Sequence, residues 1–428
     1  MSGPASDRPA IPTGPTTPAE RRRAFRVLFM ALVCVGMGQT VVFIVIPPIA
    51  RSLHVSEVYI AIMFASSATI WAFMNPFWGR LSDSWGRKPV IIVGLSGFGV
   101  SMALVGLAAQ AGLAGLTGVL ATFALMTAGR WIFSVLGPGT INGAQAYVAD
   151  RTSRAERTAA VAALNAAFTL GASSGPGLAA GLVLIGLLAP FYLVAAIALA
   201  SAVCIYIYLP ERSPPRGRPQ GPRLSVFDRR VRLLVLGMSI SASGHAVTVQ
   251  SAGFYIIDVL GMAVESSPQF AGVALMAASF AGIVAQLVLV QRFDLQPGTL
   301  MRAGVACQIL GFALLLATDQ YGPFVLALMC QGLGVGMARP GHAAAGSLAF
   351  SPHEQGAAAG IMNAAAASGW VVGPLIGMPL YQYDPQLTYW AMLVLLGALM
   401  VLMLVSPAFR VTVRAAGLEE DIDQAPKG

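Results

Sequence analysis

The chain alternates between long apolar runs and short polar breaks. Apolar runs occupy about residues 24–50, 57–79, 89–110, 114–143, 158–183 and 186–209. After a longer break they resume at 231–260, 268–291, 301–318, 322–349, 356–381 and 386–408. A bilayer core takes about 20 apolar residues in a helix, at about 1.5 Å of rise each, so each run is long enough to be a membrane span. Only helices satisfy every backbone polar group inside a single segment in lipid. The pattern therefore predicts an all-α integral membrane protein of twelve transmembrane helices. The long break divides them into a six-helix bundle at 24–209 and a second at 231–408, joined by a Pro- and Arg-rich linker at 210–230. Residues 1–23 read as a disordered cytoplasmic tail and 409–428 as a second cytoplasmic tail, acidic and disordered over Glu419–Gly428. The first tail carries no small-residue cleavage site, so the first span is expected to be retained.

The two sets of six repeat. Asn165-Ala166-Ala167, Gly171, Gly175 and Pro176 recur as Asn363-Ala364-Ala365, Gly369, Gly373 and Pro374, each 198 positions later. Parallel repeats of this kind place a substrate site between the halves near the bilayer midplane, with rocking of one half on the other giving alternating access.

Between the apolar runs Tyr59–Trp78 and Val90–Ala108 lies the polar sequence Gly79-Arg80-Leu81-Ser82-Asp83-Ser84-Trp85-Gly86-Arg87-Lys88-Pro89. It resembles the loop G-x-L-x-D-x-x-G-R-K of the major facilitator superfamily of secondary transporters, matching at Gly79, Leu81, Asp83, Gly86, Arg87 and Lys88. The resemblance implies a conformational latch that holds the cytoplasmic side closed when the site faces outward; a plain topology anchor is the alternative. Gly171-x-x-x-Gly175-Pro176 resembles the fifth-span pattern of the drug/proton antiporters in that superfamily. It departs from it at Ala179 and Ala180, where the family pattern has glycines. Small residues four apart also serve ordinary close helix packing with a proline hinge. Gly369, Gly373 and Pro374 repeat the device.

Charge adds topology. Of 26 Lys and Arg residues, 23 fall in segments that share one face, which assigns that face and both termini to the cytoplasm. With 10% charged residues against 56% hydrophobic, the net charge of +8 reports orientation in a membrane and not a nucleic-acid surface. The four cysteines are scattered through apolar spans and match no metal or disulfide spacing. No phosphate-binding glycine loop occurs, so no cofactor, metal or nucleotide is expected.

Polar groups inside spans are costly and mark function or a structural partner. Arg130 sits within the fourth span, where the resemblance is to a pattern tied to proton transfer; it is either a coupling or substrate group or a partner of the Asp83 loop. Gln39 and Thr40 in span one, and His245 and Gln250 in span seven, stand about midway and are candidates for the cavity lining. His245 titrates near neutral pH when unperturbed, or is a packed histidine. Arg339 and His342 in span ten either bind an anion or face water near the exit. No acid lies centrally in a span, and Asp258 and Glu57 sit near the outer ends; Asp258 joins Arg130 and His245 as a coupling candidate. A cavity with Arg130, Arg339 and His245 and no carboxylate favours neutral or anionic substrates. The expected protein is a monomeric inner-membrane transporter, not an enzyme, that exports an amphipathic small molecule in exchange for protons. Uptake or exchange of an anionic metabolite is the alternative reading, and a membrane enzyme or sensor a remote one.

Overall fold

The computed structural model describes residues 17–409 except 153, 212–224, 226–227, 291, 294 and 352–353. Most of the linker expected at 210–230, and the tails up to residue 16 and from residue 410, lie outside the described residues. The first half comprises α1 (Pro18–Ser52), α2 (Glu57–Trp85), α3 (Arg87–Leu113), α4 (Val119–Leu136), α5 (Pro138–Asp150), α6 (Arg154–Leu182) and α7 (Ala189–Tyr208). The second comprises α8 (Arg232–Asp258), α9 (Ser267–Val284), α10 (Pro297–Leu316), α11 (Tyr321–Leu348), α12 (Gln355–Tyr383) and α13 (Pro385–Val405). α4 and α5 form one span, giving twelve.

Eleven of these spans are long and apolar enough to cross a bilayer. The twelfth, α6, is diluted by Gly, Ser, Thr and Asn but packs among the others. Large apolar side chains such as Phe73, Leu184, Val203, Phe280, Val394 and Leu404 are exposed around the outside. In water such a surface would be a liability; in hydrocarbon it is the solvent-facing side.

Pairing within the halves follows one scheme. α1 lies on α6 as α8 lies on α12, α3 packs on α4 and α7 as α10 packs on α11 and α13, and α2 meets α4 as α9 meets α11. The repeated glycines explain the first pair. A Cβ on Gly171 would collide with the Val33 carbonyl and one on Gly175 with Thr40 Oγ1. In the second half a Cβ on Gly369 would stand 2.6 Å from Ser239 O, and one on Gly373 2.7 Å from Ser243 O. Backbone cannot yield as a side-chain tip can. Gly171→Ala is therefore expected to lower stability by about 1–3 kcal/mol, as overpacking does. Gly181→Ala on the same helix, where a Cβ meets nothing within 4 Å, should leave it unchanged or slightly raised. Thermal unfolding of the two variants in detergent checks the contrast.

Three local features depart from the apolar pattern. The disordered tail expected up to residue 23 is overturned at its end: α1 starts at Pro18, ahead of the apolar run, because Thr17 and Glu20 form a reciprocal capping box. The break at Gly79–Pro89 is not an extended loop: α2 continues to Trp85 and α3 begins at Arg87, leaving Gly86 alone at φ +99° to make the turn. A side chain rarely adopts that conformation. The fourth span bends at Gly137–Pro138, where proline removes a backbone donor, and continues past the end of the apolar run at 143 to Asp150.

The halves meet along α2 with α12, α6 with α9, and α1 with α8. At the end of α1 and α8 away from the Gly86 turn, Pro47 lies against Gly253. There Arg51 pairs with Glu57 at the start of α2 and with Asp258 at the end of α8, Nε to Oδ1 at 3.0 Å. Tyr381 of α12 donates to the same Asp258 carboxylate at 3.2 Å. One cation thus ties both halves together on that face.

Candidate functional site

Behind the Arg51 cluster, between the halves, lies a cavity of about 550 Å³. It continues into a vestibule of about 860 Å³ that widens toward the ends of α2, α5 and α12 nearest the Gly86 turn. The molecule is therefore closed on the Arg51 face and open on the Gly86 face.

Gln39, Thr40, Arg130, His245, Gln250 and Arg339, which sequence position alone could not bring together, all line this cavity. α1 supplies Gln39 and α4 supplies Arg130, and the Arg130 guanidinium donates to Gln39 Oε1 at 2.9 Å. Arg130 is 5% exposed and lies over the rings of Phe64 and Phe133, at 5.7 and 5.1 Å. Its Nε and second terminal nitrogen find no acceptor. Thr40 is turned back to the Met37 carbonyl at 3.0 Å. In the second half Gln250 is 3% exposed with neither amide atom paired, and His245 has a buried, unpaired Nδ1. The His245 ring stands edge-on to Trp370 at 5.6 Å. Arg339 is exposed to the space where cavity and vestibule join, and among the described residues it makes no hydrogen bond or ion pair. His342, one turn on, is elsewhere: fully buried, bonded to the Ala338 carbonyl and facing Gly237.

Asp258 lies outside the cavity, in the Arg51 cluster. No Asp or Glu is among the residues lining either space. The described residues contain no cluster of His, Cys, Asp and Glu suited to a metal.

The Gly86 turn forms a second polar centre. Arg87, 4% exposed, pairs with Asp83 at 2.6 Å and Asp150 at 2.9 Å and donates to Ser82 Oγ at 2.6 Å. The Glu211 carboxylate accepts from the backbone N–H groups of Arg87 and Lys88, at 3.0 and 2.9 Å. It thereby caps the N-terminus of α3, where a negative charge is favoured. A Cβ on Gly86 would stand 2.6 Å from that carboxylate. The Lys88 ammonium rests over Tyr206 at 5.4 Å. Gly79 has nothing within 4 Å of its Cβ position, so close packing does not require glycine there. All these partners belong to the first half except Glu211, which lies at the start of the linker. Arg130 takes no part in the centre, which separates it from the Asp83 loop.

Sequence reading missed the aromatic members of the cavity. Phe43 and Phe64 meet at 4.8 Å with their rings tilted by 32°, and Phe43 reaches across the halves to Trp370 at 5.7 Å. Trp71, Asn165 and Gln286 also line it. Asn165 was visible only as a repeat marker. Trp370 follows the packing residue Gly369, about 100° around the helix, which is the one sequence signal that it faces a different neighbour. Gln286 falls in the π-helical turn Ala285–Val290, whose altered phase hides it from a regular helical pattern.

Comparison with known proteins agrees with this architecture. The family model for the Major Facilitator Superfamily matches residues 28–318 and 267–426. Multidrug resistance protein 1 of Bacillus subtilis is 26% identical over 364 residues, covering 83% of this chain and 88% of that protein. The class B tetracycline resistance protein of Escherichia coli is 22% identical over 400 residues, covering 90% and 96%. In structure, a bacterial homolog of the human lysosomal transporter Spinster, in an inward-facing and unoccupied conformation, superposes with a TM-score of 0.74 at 14% identity, covering 93% of this chain and 99% of that one.

Proposed function

The chain belongs to the Major Facilitator Superfamily, and from that premise we propose that it is an inner-membrane exporter of amphipathic small molecules, neutral or anionic, driven by proton antiport. The carrying observation is the cavity between the halves, sealed on one face by Arg51–Asp258 and continuous with a vestibule on the other. Positive-inside placement puts the open face in the cytoplasm. The described state is then the loading state of an exporter, with aromatic walls for an apolar body and a few buried polar groups for orientation. Relatives named for multidrug and tetracycline resistance support export over uptake.

Alternating access would proceed by opening the Arg51 cluster while the Gly86 face closes. In that cycle Gly79, Asp83, Gly86, Arg87 and Lys88 serve as the latch of the cytoplasmic face. Gly171, Gly175 and Pro176 with Gly369, Gly373 and Pro374 keep α1 on α6 and α8 on α12 while the halves rock. Proton coupling falls to the titratable groups that meet the cavity or its outer seal, His245 and Asp258, with Arg130 setting the field between them.

The test uses inside-out vesicles holding an acid-inside gradient reported by a quenched dye. Addition of a neutral or anionic substrate should restore fluorescence with this protein and not with an inactive control. His245→Ala should displace or flatten the pH profile of that flux; an identical profile removes His245 from the proton route. Uptake of an anionic metabolite is the second reading, favoured by the unpaired Arg339 in the cavity. Net inward flow of substrate down a proton gradient would establish it in place of export.

A further inference from the structure

The cavity holds more hydrogen-bond donors than the protein can satisfy, and they stand on opposite walls. On the first half Arg130 spends one terminal nitrogen on Gln39 and leaves two nitrogens buried and unpaired. On the second, Gln250 is buried with its whole amide unpaired, and Arg339 has no partner among the described residues. Neither lining set contains a carboxylate. A buried cation without a counter-charge is unfavourable, and a ligand that brings acceptor oxygens removes that penalty.

The two donor walls are separated by rings. Phe64, Phe43 and Trp370 touch in series across the boundary between the halves, with the His245 ring at the far edge of Trp370. A planar aromatic body fills such a slot without the ordering cost of a flexible chain. A volume of about 550 Å³ accommodates a two- or three-ring compound.

The poles are not equivalent. Arg130 is already half satisfied and is screened by Phe64 and Phe133. Arg339 has no partner among the described residues and stands at the junction a ligand passes on its way from the vestibule. The stronger acceptor belongs with the freer cation.

Resting on the exporter reading, we propose that the substrates are planar aromatic carboxylic acids bearing a second acceptor oxygen. The carboxylate sits on Arg339 beside His245, the ring lies along Phe43, Phe64 and Trp370, and the second oxygen accepts from Arg130 on the opposite wall. Lipophilic cations are excluded by the two guanidiniums.

The experiment compares three probes that share one ring system: 6-hydroxy-2-naphthoate, 6-hydroxy-2-naphthamide and 6-(aminomethyl)-2-naphthol. Binding to the full chain in lipid nanodiscs is measured at neutral pH. The acid should bind at least about tenfold tighter than the amide, and the amine should not compete. Arg339→Gln should abolish that preference while leaving the amide within about twofold of its original affinity, and Arg339→Lys should restore part of it. Removing the hydroxyl, as in 2-naphthoate, should weaken binding to the native protein but not to Arg130→Gln. Equal or tighter binding of the amine, or equal losses of acid and amide in Arg339→Gln, would overturn the proposal. Absence of binding by all three would also overturn it. Vesicle flux separates the two levels of inference. An acid that binds through Arg339 but is never moved by a gradient keeps the site and sinks the exporter. Gradient-driven movement of another charge class, with no binding of the acid, does the reverse.

Discussion

Replacing Arg51 with alanine should move the transporter out of the conformation described here. Arg51 is the cation that joins α1 and α2 to α8, through Glu57 and Asp258. Its side chain and that of Asp258 are about a quarter exposed, and that of Glu57 is buried. Hydrogen bonds to charged partners are worth about 1.5–3 kcal/mol. Their loss changes the ratio of closed to open populations on that face by about ten- to a hundredfold. The substitution also leaves Glu57 and Asp258 without their cation, a like-charge pair whose repulsion adds to the opening. With Cys34, Cys204, Cys307 and Cys330 replaced by serine, a cysteine at Gln250 reports the opening through its labelling by a membrane-impermeant maleimide added on the Arg51 side. At least tenfold faster labelling is expected in Arg51→Ala, with a smaller gain in Asp258→Asn, where Arg51 still holds Glu57. An unchanged rate would show that apolar contacts such as Pro47 on Gly253 close this face unaided.

Asp83→Asn is expected to cut transport about tenfold or more while the protein still inserts and folds. Arg87 has three polar partners besides the backbone contact with Glu211: Asp83, Asp150 and Ser82. Removing the Asp83 charge leaves Arg87 paired with Asp150, and Asp83 itself is more than a third exposed, so the cost in stability is small. In the proposed alternating-access cycle the loss of function lies in the opposite state, where the turn would close its own face. Arg87→Gln should differ in kind. It removes the 4% exposed cation that holds Asp83, Asp150 and Ser82 together at the turn, and removing the buried member of an ion-pair network is strongly destabilising. Yield after detergent extraction and vesicle flux, measured on both variants, distinguish the two. Full transport in Asp83→Asn would reduce the turn to a topology anchor.

The contrast between these variants bears on what could be read in advance. Asp83, Arg87 and Gly86 were evident as a motif, but Asp150 and Glu211 were not. They are separated from it by 63 and 124 residues, and nothing local to either marks it as the partner of a turn. The same holds for Arg51 and Asp258, which sit 207 residues apart. Each looked like a charge near a span end.

The sequence by itself determined twelve spans, their division into two repeated halves and the face that carries the cations. All three follow from the one-dimensional cost of placing polar groups in hydrocarbon, which each segment meets separately. It also marked one face of α6 and of α12 for close packing, because glycine four residues from glycine removes side chains from that face; that α1 and α8 fill those places came only with the tertiary structure. Tertiary structure alone decided which polar groups share a cavity. Gln39 and Arg130 meet only because the fold brings α1 within reach of the Arg130 side chain on α4, and Arg339 faces the cavity while His342, one turn away, is buried against Gly237. It also decided which face is shut. Helix rotation and the rocking angle between halves set those outcomes, and both depend on packing summed over many helices that no single segment encodes.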